Sequence, residues 1–228
     1  MPFILDSVVP WGRSFDEYIA MFLLSDKDLQ TRILGCSDGP ASFNAELHQR
    51  GGTALSVDPL YNFSPAAISG RIDATCATIL AQLEANRDAY HWERFGSPAQ
   101  LGKERMATMQ RFLADLPQGR AEGRYLPAAL PQLPLATGSF DLALCSHFLF
   151  LYSDHVDLNF HLQAVDELCR VASEVRIFPL VTLADTPSPH LEPLRHHLDQ
   201  SGLMHSIETS NYHFQSGGDQ MLRILSPD

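Results

Sequence analysis

Thr31-Arg-Ile-Leu-Gly-Cys-Ser-Asp-Gly-Pro-Ala-Ser-Phe43 is the stretch that decides the fold. A short apolar run ends in small, turn-forming residues, and a helical pattern follows over 41–50 until Gly51-Gly52 stops it. Thr53-Ala-Leu-Ser-Val57 then predicts a second strand, and it ends on Asp58. Strand, Gly-containing turn, helix and second strand with a carboxylate at its tip make an adenosine-binding half-site. The turn lets backbone approach a ligand, and the carboxylate accepts hydrogen bonds from ribose hydroxyls. A nucleoside-type cofactor is the first expectation.

Working outward, Ser14-Phe-Asp-Glu17 has the capping-box pattern and opens a helix over 14–24. Past Asp58 the alternation stops. Residues 72–95 predict one helix, and Ser97-Pro-Ala-Gln100 starts a second that runs to about residue 116. An ordinary βα connection needs far fewer residues, so residues 60–120 are expected to be a helical cap inserted in one domain that spans 1–228. Alternation resumes with a weak strand over 123–126 and a buried strand over Phe140-Asp-Leu-Ala-Leu-Cys-Ser146. A helix over 154–170 with Asp154 as its cap, a strand over 173–181 and a helix over 189–201 follow. Two last strands, over 205–214 and 220–225, are expected to meet at a hairpin turn, Ser216-Gly-Gly-Asp219. The pattern predicts an α/β, Rossmann-like open sheet of about seven strands, mostly parallel, with an antiparallel C-terminal strand.

Composition narrows the function. The 228 residues carry a formal net charge of −11, and only two are lysines, Lys27 and Lys103. With no basic cluster to meet a phosphate backbone, nucleic acid is not the expected partner. No apolar run approaches the roughly 20 residues of a membrane span, so a membrane partner is not expected either. Residues 1–6 lack the pattern of a signal peptide. Cys36, Cys76, Cys145 and Cys169 form no CxxC pair and no metal spacing, which suits reduced thiols and a cytoplasmic protein with no metal. The oligomeric state is left open.

On four segments the chain resembles the class I S-adenosylmethionine-dependent methyltransferases. Ile33–Phe43 is similar to the first cofactor motif, and Ser56-Val-Asp58-Pro59 to the ribose-binding strand end. Leu133-Pro-Leu-Ala-Thr-Gly-Ser-Phe-Asp-Leu-Ala-Leu-Cys-Ser-His147 is similar to the segment that enters the fourth strand. Glu167-Leu-Cys-Arg170-Val with Glu174-Val-Arg-Ile-Phe178 is similar to the approach to the fifth. The resemblance covers 31–58 and 123 onward, and leaves the middle uncovered. It implies S-adenosylmethionine as cofactor and methyl transfer to a small-molecule acceptor. The alternative is a protein that binds S-adenosylmethionine or S-adenosylhomocysteine without transfer.

The family's D/E-x-G-x-G-x-G reads here Gly35-Cys-Ser37-Asp-Gly39-Pro-Ala41. Gly35 stands where the acid is usual, and Ser37 and Ala41 replace two glycines. The missing acid normally orients the methionine amino end, and Asp38 is the residue expected to supply that charge. Ala129 stands where an acid often follows the third strand, so adenine is expected against backbone and Leu130. The resemblance thus implies a cofactor site of Gly35, Cys36, Ser37, Asp38 and Gly39, of Asp58 and Pro59, of Ala129 and Leu130, and of Ser146, with Arg13 clamping a carboxylate.

His147, at the end of the fourth strand, has the pKa class to take a proton from an acceptor, and Tyr152 can present a hydroxyl. Arg176, inside a strand, either meets an acidic substrate or pairs with Glu174 or Glu167. Trp92 in the cap lines a substrate pocket or packs a helix. His155, His161, His196 and His197 read as solvated helix residues. Other chemistries lack their residues: Cys145-Ser-His-Phe148 is not the Asn/Asp-Pro-Pro-Tyr/Phe of nitrogen-specific base methylation, and the chain holds no Pro-Cys dipeptide, no Tyr-x-x-x-Lys pair and no Gly-Lys-Ser/Thr.

Overall fold

The computed structural model describes residues 9–215 and 217–226. The signal-peptide reading of residues 1–6, and Ser216 of the expected hairpin turn, lie outside the described residues. β1 (Arg32–Cys36), β2 (Thr53–Val57), β3 (Tyr125–Leu126), β4 (Phe140–Ser146) and β5 (Ala172–Phe178) run parallel. β7 (Gln220–Leu225) lies antiparallel between β5 and β6 (Met204–Thr209), giving the order β3-β2-β1-β4-β5-β7-β6. The chain reverses its direction of travel across the sheet between β1 and β4, and the crevice at such a switch point is where open α/β sheets bind ligands.

Alternation along the strands builds a core on each face. Ile33, Leu142 and Leu144 pack with Phe22 of α1 (Phe15–Phe22) and Phe43 of α2 (Phe43–Gln49). Leu34, Cys36, Ala143 and Cys145 pack with Leu168 of α5 (Leu158–Val171) and Leu194 of α6 (Leu191–Gln200). Between β2 and β3 come α3 (Pro65–Ala85) and α4 (Pro98–Ala121). A third cluster, including Tyr61, Ile72, Phe112 and Tyr125, joins them to the sheet edge.

Several boundaries differ from expectation for physical reasons. Asp157, not Asp154, caps α5, because its carboxylate accepts from the Phe160 N–H at 2.8 Å. α3 starts at Pro65, where Ser64 caps it, and ends at Ala85. β6 ends at Thr209, so residues 210–214 lie outside the strand expected over 205–214. Tyr212 and Phe214 are buried there among Phe178, Tyr90 and Trp92, so tertiary burial overrides the strand pattern of 205–214. Trp92 thus packs on Phe214, with its indole N–H on the Arg87 carbonyl. Arg176 pairs with Glu174 and Asp28 and donates to the Phe22 carbonyl, which is the pairing alternative. His161 is not solvated: it is fully buried on α5, between the carbonyls of Asp157 and Leu149.

One buried polar knot ties α1 to the cap. Glu17 closes the capping box on Ser14, takes both terminal nitrogens of Arg105 from α4, and accepts from the Tyr212 hydroxyl at 2.8 Å. Burial alone would raise the Glu17 pKa, but the charge and hydrogen bonds of Arg105 bring it down to about 2. The stabilisation is therefore complete above the ordinary glutamate range and fades as pH falls toward 2. Glu17→Gln should lower unfolding free energy by about 3–5 kcal/mol at neutral pH, the cost of stranding a buried partner. In urea titrations the gap from wild type should narrow as pH drops below about 4.

Candidate functional site

The carboxyl ends of β1 to β5 open into one cavity of about 600 Å³, within the usual size of small-molecule sites. Ser37, Asp38 and Gly39 follow β1, Asp58 and Pro59 follow β2, and Ala129 and Leu130 follow β3. Ser146, His147 and Tyr152 come at or after the end of β4. With Arg13, eleven of the residues singled out in the sequence share its wall. Gly35 and Cys36 are not on that wall. The Cys36 side chain turns into the core beside Cys145, its partner in register, and burial pushes its thiol far up.

The turn after β1 explains the unusual glycine pattern. A β-carbon at Gly35 would lie 1.8 Å from Oδ2 of Asp38. The carboxylate of Asp38 thus folds back into the space above Gly35 that a side chain at position 35 would need. Ser37 takes a left-handed conformation, φ 56°, to turn the chain this sharply. Asp38 is buried and accepts from the Tyr18 hydroxyl at 2.7 Å and the Ser56 hydroxyl at 2.6 Å. Burial raises its pKa to about 6.

Asp58 accepts from the N–H of Gly39 at 2.9 Å through one oxygen and from that of Leu60 at 2.8 Å through the other. It is the cap of the short 3-10 helix Pro59–Asn62. Burial raises its pKa, against the pull of the two backbone donors. Each carboxylate oxygen has a second lone-pair site, so hydroxyls of a ligand can still be accepted.

Arg13 reaches the cavity because Gly12 allows the amino-terminal segment to press on the turn: a β-carbon there would meet the Pro40 carbonyl oxygen at 2.1 Å. Nη1 of Arg13 donates to the Trp11 carbonyl at 2.5 Å, while its buried Nε has no partner. Among the described residues Arg13 has no carboxylate partner. Burial and the nearby Arg105 lower its pKa. His147 also sits in a left-handed conformation, φ 52°, with Nδ1 2.9 Å from the Ser146 hydroxyl. Burial, with the charges of Arg13 and Arg105, pushes its pKa well down, so the imidazole is neutral. The Tyr152 oxygen accepts from the Val9 N–H at 3.4 Å.

Sequence reasoning misses the roof. Ala67, Ile68, Arg71, Ile79 and Leu83 of α3 line the cavity along nearly the whole helix, and Tyr90, Phe214 and Gln215 close its far end. The spacing of 67, 71, 79 and 83, all multiples of four apart, is the signal available for α3. Among the described residues no cluster of His, Cys, Asp or Glu could hold a metal ion, and no helix is long and apolar enough to cross a membrane.

No protein-family model matches the chain. Protein MJ0045 of Methanocaldococcus jannaschii, itself uncharacterized, is 30% identical over 225 residues, or 96% of this chain and 97% of that one. The crystal structure of magnesium protoporphyrin IX methyltransferase from Synechocystis PCC 6803 with bound SAH superposes with a TM-score of 0.51 at 14% identity, covering 93% of this chain and 81% of that one. PH0226 of Pyrococcus horikoshii OT3 superposes with a TM-score of 0.50 at 11% identity, covering 94% and 91%. At these identities the likeness to both structures is one of fold.

The packing of Asp38 on Gly35 is open to a double-mutant cycle. Gly35→Ala should be strongly destabilising alone and much less so when Asp38 is also Ala, with a coupling of about 1–3 kcal/mol by denaturant titration. Additive costs would mean that the two positions do not share one space.

Proposed function

This chain belongs to the family of MJ0045 and has the class I S-adenosylmethionine-dependent methyltransferase fold, and from that premise we propose that it binds S-adenosylmethionine and methylates a small molecule. The observation that carries the reading is the arrangement of charge in one cavity. A carboxylate stands at the tip of β2, a second is buried on the turn after β1, and an arginine with an unpartnered buried nitrogen faces them from the amino-terminal segment.

The residues fit the cofactor's chemistry. Asp58 suits ribose hydroxyls, since its oxygens keep lone pairs beyond the two backbone donors. Leu130 and Ile68 offer apolar surface for adenine. Arg13, without a carboxylate of its own, suits the methionine carboxylate, and Asp38 suits the cationic end of the same group. S-Adenosylmethionine supplies an electrophilic methyl group on a sulfonium, so the protein's task is to orient the acceptor and exclude water. The net charge of −11 and the absence of a lysine cluster favour a small molecule over nucleic acid.

Calorimetry with S-adenosylmethionine and S-adenosylhomocysteine tests the reading directly: binding is expected, and no heat at millimolar ligand would sink it. Asp58→Ala should weaken binding roughly 10- to 100-fold, the worth of about 1.5–3 kcal/mol for hydrogen bonds to a charged group.

The pH dependence has a definite sign. Tyr18 from α1, Asp58 from the end of β2, Cys36, Tyr61, and Cys145 of β4 are the titratable groups that interact with Asp38. A cationic ligand favours the ionised carboxylate, so affinity should rise as pH increases through about 6. Asp38→Asn should flatten that rise.

A further inference from the structure

Beyond the ends of β4 and β5 the cavity changes character. Tyr90 and Phe214 stack there at 4.9 Å between ring centroids and 25° between planes. Phe178 stands edge-on to His147 at 5.5 Å. The polar groups of this half are largely committed to the protein. The Tyr212 hydroxyl donates to Glu17, the Tyr152 oxygen takes the Val9 N–H, and the Gln215 amide is spent on the Thr182 carbonyl and Asp185. Nε2 of His147 bonds to no described residue. The two acids on the cavity wall, Asp38 and Asp58, follow β1 and β2 rather than β4 or β5.

We propose that this half takes a planar aromatic acceptor and sets a ring hydroxyl against Nε2 of His147, so that the reaction is O-methylation. The inference rests on the methyl-transfer reading above and names its acceptor class. Flat rings gain both buried area and favourable ring-on-ring contact on such walls. A protonated amine finds no carboxylate among the wall residues that follow β4 and β5, and burial, together with Arg13 and Arg105, holds His147 neutral. A hydroxyl suits both facts, because it enters uncharged and a neutral imidazole is ready to take its proton. In the balanced step the acceptor oxygen forms the new O–C bond, and the S–C bond breaks with its electron pair left on sulfur. The hydroxyl proton passes to Nε2 of His147 and then to water.

The test needs no knowledge of the natural acceptor. The protein saturated with S-adenosylhomocysteine is titrated with 2-naphthol and followed by naphthol fluorescence, with saturated 2-decalol and cationic benzylamine as competitors. Naphthol should bind and resist both competitors. Phe214→Leu, which keeps apolar volume but removes the ring, should weaken naphthol at least tenfold while S-adenosylhomocysteine binding stays within about twofold of wild type. His147→Asn should leave naphthol binding in place and lower its methylation, given S-adenosylmethionine, by roughly 100-fold. Decalol or benzylamine competing as well as naphthol, or an unchanged affinity in Phe214→Leu, overturns the proposal. Methylation undiminished in His147→Asn overturns the assigned base. Failure to bind S-adenosylhomocysteine is a different result, which overturns the cofactor reading itself.

Discussion

A carboxylate shut away from water must be surrounded by donors, and Glu17 gathers its donors from three parts of the chain, two of them distant. The Ser14 N–H comes from its own helix cap, the guanidinium of Arg105 from α4, and the hydroxyl of Tyr212 from the loop between β6 and β7. Desolvation makes each of these contacts obligatory, because losing one leaves the others charged or polar in an apolar setting. The knot therefore fixes where α1, the cap and the last loop stand relative to one another, and all three contribute to the cavity. It also sets the charge of its surroundings. Two arginines, Arg13 and Arg105, share the neighbourhood of a single buried glutamate, so the region is left with positive charge that no described side chain cancels.

The turn after β1 shows how a constraint can move along a sequence while the space it fills stays put. Near the end of β1 there is room for one side chain above Gly35. Here it arrives from position 38, and position 35 must then lack a β-carbon. Tyr18 and Ser56 hold that carboxylate from both sides. Gly35 is thus not a lost acid but the room that the acid at 38 occupies.

Much of the fold is legible in the residues. Strands buried on both faces read as short apolar runs, and β2, β4 and β7 lie where their runs predict. The seven-stranded sheet and its reversed β7 follow from the order of those runs. The strand-end residues of the site are legible for the same reason, since topology delivers Asp38, Asp58 and His147 to one edge of the sheet. What the residues hide is anything settled by distant packing. No local pattern says that Tyr212 will leave a strand for a buried knot, or that His161 will be enclosed. The neutrality of His147 is likewise invisible, because it comes from burial and from Arg13 and Arg105, which approach from far along the chain.

The roof has a consequence for traffic. From Ala67 to Leu83 the cavity-facing residues of α3 extend over roughly 24 Å of helix axis. A helix of that length keeps its shape through its own backbone bonds, so a tilt about one end displaces the other end most. On the methyl-transfer reading proposed above, cofactor and acceptor lie beneath the same helix, so a tilt of α3 couples their exchange. A substitution at either end of α3 is then expected to alter the residence time of both occupants.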